Sequence, residues 1–491
     1  MSLADLLALS PLWIAAAAAI ALLLLIAVKR HFGAAAGFSL AAAGLGLAAV
    51  FRSIRLAPRT VTPLLVLDGY ALFFIGLFFA AGFVIFLLAS SYFRPSARRR
   101  EEFFLTGFAA LLGAAVLAGS VHFASFFLGL EILSVSLYVL ISFPLDRRES
   151  IEAGIKYLVL AASSAAFLLF GAALVYGETG GLDFATWAAG ASAGAIDKPL
   201  FVLGVSLMIV GIGFKLAVVP FHMWTPDVYQ GAPAPSSALV ATISKGGLLA
   251  VLFRFFWTID IRRFPSLVLV FALIAGASMI AGNLLALRQN RVKRMLGYSS
   301  ISHLGFLLVA FLAGGAIGLE AAAFYLVAYV ITMTAAFGAV AMLSPEEADA
   351  DALDDYRGLF WRRPATAAVL TLALLSLAGM PLTAGFLGKL YVAAAAVGSS
   401  LWALAIILVA TSVVGLYYYL RVLVVLYARP GSGPLVLRSQ DPPRGSRLAG
   451  GIGLAILSLL LIGLGIFPSG MIRLIRTTVL TLTGAVHPPG I

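Results

Sequence analysis

The sequence predicts an all-α integral membrane protein of about fourteen transmembrane helices, with two inverted five-helix repeats that each contain a broken helix. Three observations carry this. Of 491 residues, 62% are hydrophobic and 11% charged, more apolar surface than a soluble core absorbs. Apolar runs of about 20 residues, the length a helix needs to cross a hydrocarbon core, recur between charged or Pro/Gly-rich breaks. Two of these runs are long and interrupted by proline at corresponding places.

In chain order, residues 1–95 supply three spans, at 10–28, 33–51 and 65–93. The N-terminus lacks a basic leader region and a small-residue cleavage site, so the first run is expected to remain as a span. Residues 96–258 supply five more, at 103–119, 121–143, 154–176, 199–229 and 234–257. Residues 259–430 supply the next five, at 265–287, 294–314, 318–343, 366–396 and 400–427. Residues 431–491 hold the last, at 449–473, and a tail. The breaks, at Pro220 and at Gly379–Pro381, fall in the fourth helix of each set of five. Irregular backbone at membrane depth is tolerated where it is buried in protein or lines a watery cavity. Paired breaks in matching positions point to inverted repeats with an ion pathway between them.

Loops after odd-numbered spans carry 19 Lys and Arg against 8 on the other side. The positive-inside rule puts the richer loops in the cytoplasm and both termini outside. The net charge of +12 is thereby read as topology, without a nucleic-acid partner. Absence of cysteine excludes disulfides, thiolate metal sites and iron–sulfur ligation. The five histidines are scattered, which argues against a metal cluster. No redox or nucleotide cofactor is expected in this chain.

Six basic residues fall within spans: Lys156, Lys215, Lys245, Arg254, Lys389 and Arg421. Arg254 and Arg421 lie near helix ends and read as snorkelling side chains. The other four are lysines, in a chain with far more arginine than lysine. Arginine stays protonated almost anywhere, whereas a desolvated lysine releases its proton near neutral pH. A path that takes up and gives back protons therefore uses lysine. Glu131, mid-span in "FFLGLEILSVSLYVLIS", is the natural partner of Lys215 at similar depth, either as a proton switch or simply as a buried ion pair. Lys156 has Glu152 four residues before it, a helix-surface pair by spacing. His303, among Ser299, Ser300 and Ser302, reads either as a satisfied core histidine or as a proton carrier. His222, beside the Pro220 break, lines a wet gap or caps freed carbonyls.

The segments "GFKLAVVPFHMWTPDVYQGAP…SALVATISK", "NRVKRMLGYSSISHLGF" and "GMPLTAGFLGKLYV" resemble the antiporter-like membrane subunits of proton-pumping NADH:quinone oxidoreductase, or complex I. The "PDVYQGAP" form is most similar to the N-type branch of that family. The resemblance runs from about residue 60 to 430. It implies that Glu131, Lys215, Lys245 and Lys389 carry proton translocation. Glu152, Lys156, His222 and His303 support the path, and Pro220 and Pro381 mark the helix breaks. It also implies a bacterial inner-membrane location, with neighbouring membrane subunits as partners. FMN, iron–sulfur clusters and quinone then belong to other chains. A multisubunit cation/proton antiporter, or a hydrogenase- or ferredoxin-linked complex, is the alternative assignment.

Overall fold

A computed structural model describes residues 2–93, 100–143, 145–344, 348–429 and 444–483. Arg94, Arg98, Arg99 and Arg438, counted above among the loop cations, lie outside the described residues. Among those described, 13 helices are long and apolar enough to cross a membrane. The shorter helices Pro364–Ala378 and Ala384–Gly398 together take the place of the interrupted span at 366–396, so the expected fourteen crossings are met.

The span expected at 154–176 runs from Arg148 to Thr179, and three other differences have a local reason. Residues 65–67 form a strand paired antiparallel with Arg59–Thr62. The helix then starts at Gly69, where the Asp68 carboxylate accepts the Ala71 N–H at 2.8 Å, an N-cap that satisfies an orphan donor. The last span ends at Ile466, and Pro468 precedes a separate helix, Ser469–Thr478, because proline cannot continue the helical ladder. The expected span at 234–257 is two helices, Ala234–Ala241 and Ile243–Ile259, interrupted at Thr242. This third break has no proline or glycine to announce it.

Helices at the rim are largely exposed to the surrounding lipid or subunits. Val292–Ala313 is buried except at Arg294, and Ala234–Ile259 and Gly315–Leu343 are almost wholly buried. In a bilayer the lipid face must be apolar, so polar side chains gather on helices the bundle encloses. Close backbone approach is what allows such a dense centre. At Gly113, a Cβ would come within 2.7 Å of the Gly129 carbonyl oxygen on the neighbouring helix Phe123–Ser142.

The two arginines read as snorkelling are instead anchored. Arg254 is buried, donates to both Asp68 oxygens at 2.8 Å and stacks on Tyr70, 4.8 Å from the ring centre. Arg421 donates to the carbonyls of Leu287 and Gln289, at the C-terminal end of the helix Pro265–Leu287, where a cation complements the helix dipole.

Candidate proton path and its lysines

The helix Pro199–Leu216 stops immediately after Lys215, with Ala217 in the left-handed region at φ 64°. The chain resumes as a helix at Trp224–Gly231. The Lys215 ammonium is buried and donates to the Ser134 hydroxyl at 2.5 Å. Ser134 in turn donates to the Leu130 carbonyl at 2.7 Å. Glu131 sits one turn before Ser134 on the same helix, but it makes no ion pair within 4 Å with Lys215. The expected contact is therefore replaced by one between Lys215 and Ser134. One Glu131 oxygen, Oε1, is buried without a hydrogen-bond partner.

Lys245 is completely buried and donates to the backbone carbonyl of Lys215 at 2.7 Å. That oxygen is free because the helix ends there, so no later N–H claims it. The amine also lies 4.5 Å from the centre of the Trp224 ring, a cation–π geometry. Trp224 itself donates to the Phe214 carbonyl at 3.0 Å. His222, by contrast, is buried with neither ring nitrogen hydrogen-bonded.

The second break repeats this chemistry. Pro364–Ala378 ends at Gly379, whose φ of +83° suits glycine, and where a Cβ would lie 2.9 Å from Lys389 Cδ. Lys389 donates to the freed carbonyls of Leu377 and Ala378 at 2.8 and 3.0 Å. Its amine stands 5.3 Å from the Phe306 ring centre. Pro381 lies in the turn between the two half-helices.

Hydroxyls cluster around the buried helix Val292–Ala313. Tyr229, on the half-helix after the first break, meets Ser300 at 3.2 Å, and Ser300 meets Tyr329 at 2.6 Å. His303 Nδ1 lies 2.5 Å from the Tyr325 hydroxyl and Nε2 lies 3.3 Å from that of Tyr419. Tyr419 also bonds to Ser299. Nearby, Asn283 donates to Ser302 at 2.6 Å and accepts from Tyr418 at 3.1 Å.

Lys156 does not share this buried line. It is 46% exposed and pairs with Glu152 at 2.8 Å and Asp227 at 3.2 Å. Asp227 reaches Arg294 at 2.5 Å. These groups line a polar pocket of 320 Å³ that also includes Arg147, Lys293 and Asp349. Lys293 and Asp349 form a buried ion pair. Around it, Lys293 donates to the Ala232 carbonyl at 2.6 Å, Tyr92 donates to Asp349 at 2.5 Å and Arg147 donates at 3.3 Å. Burial raises the Asp349 carboxyl, but Lys293 and Arg147 outweigh it and hold the group below its ordinary value.

Sequence reasoning missed Ser134, Trp224, Tyr325, Tyr419 and Asp349. Only Ser134 left a trace, at three residues from Glu131 on one helix face.

A family model described as NADH:quinone oxidoreductase/Mrp antiporter, TM, matches residues 120–415. The chain belongs to this family. It is 44% identical over 472 residues to NADH-quinone oxidoreductase subunit N of Methylococcus capsulatus, covering 95% of this chain and 93% of that one. The family match spans Glu131 through Lys389. Among solved structures, a chain of respiratory complex I from Thermus thermophilus is 34% identical, with a TM-score of 0.79 over 94% of this chain and 98% of that one. The Mrp complex from Dietzia shares the fold at 21% identity, TM-score 0.83 and 98% coverage of both chains. An archaeal membrane-bound sulfane sulfur reductase chain does so at 24%, with TM-score 0.84 over 98% of this chain and 97% of that one.

Proposed function

We propose that this chain is a proton-translocating, non-redox membrane subunit of an NADH:quinone oxidoreductase. It moves protons from the cytoplasm to the outside along Glu131, Lys215, Lys245, His303 and Lys389, driven by quinone reduction in other subunits. The observation that carries this reading is that three deeply buried lysines rest on a hydroxyl or on carbonyls freed by helix breaks, with no carboxylate in contact. Such partners hold an amine in place without fixing a counter-charge, as a relay requires. Glu152, Lys156 and His222 support the path, and water bridges the gaps between the named groups. The reading further assigns residues 96–258 and 259–430 to two inverted units, and both termini to the outer face of a bacterial inner membrane. FMN, iron–sulfur and quinone chemistry falls to partner subunits; with no cysteine, this chain offers no thiolate ligand to an iron–sulfur cluster.

The test is Lys215→Ala and Glu131→Ala in membranes carrying the assembled complex. NADH-driven proton uptake into inverted vesicles, followed with a pH-sensitive dye, is expected to fall severely while the complex still assembles. Undiminished pumping in both variants overturns the proposal.

A further inference from the structure

Between the first halves of the helices Pro199–Leu216 and Pro265–Leu287 runs a groove of about 730 Å³. Its walls are Phe201, Val205, Ile209 and Leu267, and Arg263 stands at one end beside Ser192 and Ser266. Exposed Val202 and Val270 also line it, and exposed Leu203 and Leu269 flank it, so it opens sideways onto whatever hydrocarbon surrounds the bundle. Its apolar stretch offers water few polar partners and is matched by apolar matter. Behind Phe201 and Val205 lies a further apolar void of 30 Å³ against Trp187 and Phe255, so the wall falls short of the close packing usual in protein interiors. The polar end carries unbalanced charge. Among the described side chains, Arg262 and Arg263 share the carboxylate of Asp260, at 3.1 and 3.4 Å, which leaves one positive charge over. Arg263 is 67% exposed at this mouth.

A long apolar slot beneath a surplus guanidinium is complementary to one class of molecule. We propose that the groove is a phospholipid site, with an acyl chain along Phe201, Val205 and Ile209 and the phosphate on Arg263. Guanidinium and phosphate form strong, charge-assisted and often bidentate hydrogen bonds. A free anion has no use for the slot, and an isoprenoid quinone has none for the charge. The proposal stands apart from the proton path, since it uses none of its residues.

The test counts phospholipid retained per copy of this chain in the intact complex, extracted in mild detergent, washed, and measured by mass spectrometry. The washed complex is then reloaded from vesicles of phosphatidylglycerol and phosphatidylcholine in equal parts. Wild type is expected to retain one phospholipid more than Val205→Trp, which fills the slot. Ser206→Phe, at an exposed position of the same groove, serves as a second filler should Val205→Trp fail to assemble. Leu203→Trp, on the same helix but outside the lining, is expected to retain the lipid. Arg263→Gln is expected to weaken reloading of phosphatidylglycerol about fivefold, the effect of one basic residue at an anionic surface, and Arg263→Lys to restore most of it. Equal lipid in wild type and both fillers overturns the proposal. So does release of a partner subunit by the fillers with the lipid count unchanged, or recovery of a quinone in place of phospholipid.

Discussion

Replacing Asp349 with Asn tests whether the buried charge cluster holds the Asp349 loop against Tyr92, Arg147 and Lys293. In the wild type this carboxylate meets Lys293, Arg147 and the Tyr92 hydroxyl. Lys293 is fully buried and Arg147 nearly so, and two Arg147 nitrogens already lack partners. Removing one member of a buried pair leaves an uncompensated charge, at a cost of about 3–5 kcal/mol. Lys293 keeps the Ala232 carbonyl, which favours the lower end of that range. A loss of about 3 kcal/mol multiplies the opening equilibrium by more than about a hundredfold. The assay is heating of the detergent-solubilised chain followed by size-exclusion chromatography, with hydrogen exchange of residues 348–356 as the local readout. Asp349→Asn is expected to melt well below wild type and to lose protection in that loop. The double variant Asp349→Asn, Lys293→Met is expected to recover part of the loss, since contacting residues are not additive. The pH dependence has a definite sign. Because the folded carboxyl lies below its ordinary value of 3.8, its contribution is fully present above that pH. It is lost as pH falls through the lower, folded value. Acid is therefore expected to erode wild type below about pH 3.8 more than it erodes the Asn variant. A wild-type melting point in Asp349→Asn, or strict additivity in the double variant, refutes the reasoning.

Three other outcomes follow from the geometry. Ser134→Ala removes the hydroxyl that accepts from Lys215, a bond to a charged group worth about 1.5–3 kcal/mol. Dye-monitored pumping is expected to drop several-fold with assembly intact. Tyr325→Phe, which deletes the shorter of the two His303 contacts, is expected to shift the pH profile of pumping more than Tyr419→Phe. Arg254→Met strands Asp68 in a mostly buried site and is expected to cost about 3–5 kcal/mol. Arg254→Lys is expected to rescue little of the assembled yield, because a single ammonium cannot reproduce the two-pronged contact.

Most spans were legible because hydrocarbon demands long apolar runs, and prolines at 220 and 381 announced two interruptions. Thr242 was not legible as a break, since threonine is common within helices and its left neighbour gives no sign. The buried lysines stood out because charge is rare in such a chain. The groups they and His303 touch did not: Ser134 beside Lys215 and Tyr325 and Tyr419 beside His303 are hydroxyls, and hydroxyl residues occur all along these helices. Lys293 misled in the other direction. In "NRVKRM" it reads as one more cytoplasmic loop cation, whereas the fold turns it inward onto Asp349. The Glu131–Lys215 pairing was read from matching depth and from the family resemblance, and neither fixes side-chain distance, so the contact Lys215 makes with Ser134 was not foreseen.

The perches of Lys245 and Lys389 tie backbone to side chain in a way that bears on how this protein tolerates change. Each amine grips oxygens that exist as acceptors only because a helix stops. A substitution that let the chain run on through 217–223 or 379–383 would return those oxygens to the helical ladder and evict the lysine. Repairing either gap would thus disarm an amine on a different stretch of sequence, 28 positions away from Ala217 at Lys245. Gap and lysine behave as one heritable unit, and variation at either is expected to be constrained by the other.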